Sequence, residues 1–104
     1  MIYIENENGL YEVSGLKYHA KRKGYSKNAE IECYVLIGII YGSTAEVEIQ
    51  TFEKEEDCAA ALDYCKRLVR ANMLLKRDSY IDFANLQNIP ESNESDASKG
   101  KGEN

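Results

Sequence analysis

The sequence predicts an α+β domain: a mostly antiparallel sheet of four or five strands (ββββα with an optional final β) and one long helix packed on one face. Three observations carry this expectation. Apolar and polar residues alternate by twos along much of residues 2–20 and strictly through 44–50, the period of a half-buried strand. Short turn signals, Asn8-Gly9 and Gly42-Ser43, interrupt that pattern, so neighbouring strands are joined by hairpins. Residues 54–74 then change to apolar positions at i, i+3, i+4 and i+7, the stripe of an amphipathic helix.

Each element follows in order. Ile2 and Ile4 flank Tyr3 in a short first strand, and Asn8-Gly9 predicts a two-residue turn. A second strand spans about Leu10 to His19. Its inward parity changes from Tyr11 and Val13 to Leu16, Tyr18 and Ala20, with Gly15 at the change, the mark of a bulge or kink. The third strand, Ile31 to Tyr41, is β-branched or aromatic on both parities. A fourth, Thr44 to Phe52, places Ala45, Val47 and Ile49 on one side and Glu46, Glu48 and Gln50 on the other.

The helix, about Lys54 to Leu74, buries Cys58, Ala61, Leu62, Cys65, Leu68 and Val69. Glu55, Glu56 and Asp57 stand in its first turn, and Lys66, Arg67 and Arg70 toward its end, the order the helix dipole favours. Lys54 is a weak N-cap, for which Thr51 or Glu53 is the substitute. Ser79 to Ala84 alternates again and reads as a short fifth strand, with Leu86 and Ile89 as last contacts. The domain thus spans residues 1–89. Residues 90–104 contain Ala97 as their one apolar residue besides the proline and are expected to be a disordered acidic tail.

Composition narrows the function classes. The 104 residues carry 13 Lys plus Arg against 18 Asp plus Glu, a net charge of −5, with 43% hydrophobic content. This excludes a collagen, a wholly disordered chain and a multi-domain enzyme. No apolar run approaches the roughly 18–20 residues of a membrane helix, and Met1 to Glu7 lacks the pattern of a signal peptide. A cytoplasmic location with reduced thiols is the expectation, with no membrane partner. Cys33, Cys58 and Cys65 are odd in number and include no C-x-x-C, so they are expected to be small core residues, not a disulfide framework or zinc site. His19 is the sole histidine. With no Gly-rich phosphate loop, no G-x-S-x-G and no H-E-x-x-H in the chain, the expectation is no enzyme, no metal and no cofactor.

Three surfaces are candidates for binding. Both parities of the third strand are apolar, yet one helix covers one face. Tyr34, Leu36 and Ile40 would then expose roughly 300–400 Å², the size of a partner site. A sheet that curls on itself, or Tyr80 to Ile89 folding across, would instead close that face. The second candidate is a basic hairpin with interleaved aromatics: Lys17, Tyr18, Lys21, Arg22, Lys23, Tyr25 and Lys27. It has the residue types for phosphate contact and base stacking. The third is an acidic run, Glu46, Glu48, Glu53, Glu55, Glu56 and Asp57, which could imitate a phosphate backbone. In size and charge alone, such a chain is similar to small acidic phage proteins that inhibit bacterial defence systems.

The expected role is non-enzymatic protein binding, as an inhibitor, adaptor or homodimeric accessory protein, with another protein or a second copy as partner. A free sheet edge offers one way to pair copies. The alternative is nucleic-acid or nucleotide binding through the Lys17–Lys27 hairpin. A small redox or hydrolytic enzyme stands third. Charge partition sharpens this reading: residues 17–27 hold five cations and no acid (+5), and residues 44–57 hold six acids and one lysine (−5).

Overall fold

A computed structural model describes residues 1–85. Five strands form one sheet: β1 (Ile2–Asn6), β2 (Gly9–Arg22), β3 (Ile31–Ile40), β4 (Glu46–Phe52) and β5 (Ser79–Asp82). Helix α1 (Glu55–Leu74) lies between β4 and β5 in the chain. The strand order is β4-β3-β2-β1-β5. The first four strands pair antiparallel as successive hairpins, and β5 adds parallel to β1, Ile2 opposite Ser79 and Ile4 opposite Ile81. This is the expected α+β architecture. The expected acidic tail, with Leu86 and Ile89 before it, lies outside the described residues.

The parallel pairing follows from what the helix must do. Strands β4 and β5 occupy opposite edges, so α1 carries the chain across the sheet. Five strands at ~4.8 Å spacing span about 19 Å. A helix of 20 residues rises about 30 Å, enough for a diagonal crossing. Cys58, Ala61 and Cys65 face down from it onto Ile4, Val13, Leu36 and Ile49 of the sheet and Ile81 and Phe83 of the last segment.

Local details agree with the sequence in some places and correct it in others. The register of β2 against β3 shifts between Val13 and Gly15, at the expected change of parity. The first turn is one residue earlier than expected: Asn6 pairs with Gly9, so Glu7 and Asn8 form the loop. The reason is the Asn6 amide, whose oxygen accepts the backbone N–H groups of Asn8 (2.9 Å) and Gly9 (3.1 Å). Helix α1 has Lys54 at its N-cap with no side-chain capping bond, so neither Thr51 nor Glu53 substitutes. Its C-terminus closes on Arg77 N–H to Asn72 O (2.8 Å) and Lys76 N–H to Met73 O (3.0 Å). That is a Schellman pair with Lys76, at φ 56°, where glycine is usual.

The sheet also curls. Strands β1 and β4 touch across the two strands between them. Asn6, buried, donates its amide N–H groups to the carbonyls of Glu48 and Ile49, both at 3.3 Å. Its four hydrogen bonds clamp the first turn onto β4 and make the helix side of the sheet concave. The strand at the bottom of the curl needs a glycine: a Cβ on Gly38 would lie 2.9 Å from Val13 Cγ1 and 3.5 Å from Val47 Cγ1 and Ile49 Cδ1. Curl and helix together therefore close the face that carries Leu36. The expected exposure of Tyr34, Leu36 and Ile40 does not occur: Leu36 is fully buried, Tyr34 is half-buried against the core and Ile40 is half-buried.

Candidate functional site

Alternation leaves Cys33, Val35, Ile37 and Ile39 of β3 on the convex face, away from the helix. Val35 and Ile37 are nonetheless buried. Their neighbours in register explain it: Lys17 and His19 on β2 lie opposite Ile37 and Val35, and Glu48 and Thr51 on β4 flank the same two residues. The Lys17 ammonium reaches Glu46 at 2.6 Å, across β3, so aliphatic stems roof the apolar strip while the charged ends stay in water. The expected acidic and basic patches thus meet here and neutralise one another in part.

The remaining members of those patches are dispersed. In the hairpin, Arg22 donates to Ala29 O (2.8 Å) and Lys23 pairs with Glu30 (3.5 Å), so two of its cations brace the loop itself. Lys21, Tyr25 and Lys27 are exposed. Tyr18 lies on the other face from Lys17, against the core, and donates to Glu55 (3.2 Å). The base-stacking arrangement of Tyr18 and Tyr25 with the cations is therefore not assembled on one face. Glu53, Glu56 and Asp57 are exposed around the helix start, where the dipole favours them.

The thiols divide between the faces. Cys58 and Cys65 are buried in the core and Cys33 is half-buried. Burial pushes the Cys58 thiol up to about 11, with Cys33 and Glu55 adding to the shift, and burial alone pushes Cys65 up to about 12. Both are protonated and poorly nucleophilic near neutral pH. No cluster of three or more His, Cys, Asp or Glu suited to a metal occurs among the described residues, and none of their helices is long and apolar enough to cross a membrane. On the convex face, Tyr80 donates to Glu5, which pushes its hydroxyl up to about 12.

The least satisfied surface is one the sequence reading did not single out. Where the C-terminal half of α1 passes over β1 and β2, the two layers diverge and leave an open trough. One part, about 420 Å³, is lined by Ile2, Leu16, Val69 and Met73 with Lys66 and Arg70. A second, about 290 Å³, shares Ile2, Val69 and Met73 and adds Val13, Met1, Tyr41 and Arg77. Met1, Tyr41 and Met73 are 51%, 58% and 70% exposed, and Leu74 and Leu75 continue the apolar surface beyond the rim at 81% and 60%. The signal was present: from Lys66 to Arg77 the chain has five cations, no acid and the run Met73-Leu74-Leu75. Of these cations Arg67 pairs with Asp63 (2.9 Å), while Lys66, Arg70 and Arg77 form no ion pair among the described residues. The nearby Asp78 is held by the N-terminal amine at 3.0 Å.

Compared with known proteins, the chain matches no family model, no curated protein and no solved structure.

Proposed function

We propose that this chain acts by binding another protein, without catalysing a reaction, and that the trough beside the end of α1 is its contact surface. One observation carries the reading: Met1, Tyr41 and Met73, three large apolar side chains each more than half exposed, line a single depression. Scattered exposed apolar residues are ordinary, whereas several converging on one concave site mark a partner surface. The sheet edges are poorer candidates. Strand β4 carries Glu46 and Glu48 and a register shift against β3, and β5 is four residues long; charge, irregularity and shortness all discourage edge pairing.

The test is site-specific photo-crosslinking in the native host. A photoreactive amino acid at Met73 should give a defined protein adduct, and the same group at His19 on the convex face should not. Light scattering on the purified chain identifies the case in which the adduct is a second copy. A strict monomer giving no adduct from position 73 would refute the reading.

A further inference from the structure

The geometry points to an acidic, apolar peptide segment of the partner as the occupant of the trough. This rests on the protein-binding reading and adds the chemistry of what is bound. The first argument is charge. Lys66, Arg70 and Arg77 line the two parts of the trough along one side, and none has an ion-pair partner among the described residues. Three other cations are matched, Lys17 with Glu46, Lys23 with Glu30 and Arg67 with Asp63, and the exposed Lys21 and Lys27 stand free in the β2–β3 hairpin. Among the described residues, only at the trough do free cations border a concave apolar wall. The helix dipole draws cations toward a C-terminus, but it gives no reason for Met73, Leu74 and Leu75 to stand beside them in water.

The second argument is shape. Lys66, Val69, Arg70 and Met73 fall at i, i+3, i+4 and i+7 of α1, so apolar wall and charged rim run side by side for about 10 Å at 1.5 Å per residue. A segment with apolar side chains on one face and carboxylates beside them matches both at once, the helix-in-groove mode of recognition. A small molecule fits less well. The trough is open along its length, and its hydroxyls are few: Ser14, Tyr41 and Ser79, of which Ser79 already accepts from Asn72. Nor can a flat lipid surface fill a concave one.

Random peptides displayed on phage, selected against the full chain, test this. Enriched peptides should combine Asp or Glu with Leu, Ile, Phe or Met, and a synthetic copy should bind more weakly as salt is raised. Arg70→Glu with Arg77→Glu should weaken that peptide by about tenfold or more, and Met73→Asp by a similar factor. All three side chains are exposed, so circular dichroism and melting should be unchanged. Enrichment of neutral or basic peptides, or affinity indifferent to these substitutions, would overturn the inference while leaving protein binding at another surface standing.

Two further arms name other occupants. If Glu91→Lys, Glu94→Lys and Asp96→Lys raise the peptide affinity, the chain's own C-terminal segment fills the trough and the partner segment is displaced from the proposal. If the chain sediments with phosphatidylserine vesicles but not with phosphatidylcholine vesicles, and Arg70→Glu abolishes this, the surface reads lipid and the peptide assignment falls. The adduct from position 73 is read separately, so loss of the peptide chemistry is distinguishable from loss of the binding role.

Discussion

Leu36 and Ile37 are neighbours in β3, both buried, and their burial has different causes. Leu36 faces the concave side, under α1 and within the curl that Asn6 holds closed. Ile37 faces the convex side, under the stems of long polar residues on β2 and β4. The first cover is backbone and packed core, and the second is side chains that can move. Equal exposure in a static structure therefore conceals unequal cost of change.

The largest effect tests this directly. Leu36→Ala should destabilise by about 2–5 kcal/mol, because helix and sheet cannot collapse far into the cavity left behind. Ile37→Ala should fall at the lower end, about 2 kcal/mol, since the Lys17 and Glu48 stems can settle into the space. Urea unfolding of the two variants reads the difference. Equal losses would mean that the convex cover is as rigid as the core.

Next comes the clamp that makes one side concave. Asn6→Ala removes donors to Glu48 O and Ile49 O and the acceptor for two turn N–H groups. Leaving buried backbone groups unpaired should cost about 1–3 kcal/mol. Hydrogen exchange should speed up in β4 and the first turn before the rest of the sheet. Uniform loss of protection would deny Asn6 its local role.

The thiols give a pH-dependent contrast. Cys58 and Cys65 on the concave side keep their protons to about 11 and about 12, against 9.0 for an ordinary thiol. The unfolded chain ionises first, so their contribution to stability is full below pH 9 and declines as pH rises toward 11–12. Alkaline denaturation should begin in that window, and Cys58→Ser with Cys65→Ser should alter it. At neutral pH an alkylating reagent should label half-buried Cys33 before the other two.

The same contrast sets what was legible in the sequence. Periodicity is local, so the strands, the change of parity at Gly15 and the helix through Leu74 could all be read from neighbouring residues. The polarity of β5 could not, because it depends on α1 crossing the whole sheet. Nor could the choice of face: apolar residues on both parities of β3 showed that two covers were needed, without saying which parity the helix took. That made Leu36 look like surface. The role of Asn6 could not be read either, since its link to β4 spans more than forty positions. The trough was overlooked for another reason. Lys66, Arg67 and Arg70 had a sufficient explanation in the helix dipole, and their separation from Met1, Ile2 and Tyr41 hid the apolar wall they border.

The smallest effect concerns the strap over the convex strip. Lys17 and Glu46 approach to 2.6 Å, with both side chains more than 40% exposed. Solvent screens such a pair, so a double-mutant cycle should return a coupling below about 1 kcal/mol, decreasing with salt. Lys17→Ala alone should nevertheless cost more than Glu46→Ala, because the lysine stem also covers Ile37, its partner in register. Lys17→Met, which keeps the stem and removes the charge, separates the two contributions. Stability near wild type would show that methylene cover closes the convex face. A loss equal to that of Lys17→Ala would show that charge does, and the two faces would then differ in electrostatics instead of in the rigidity of their covers.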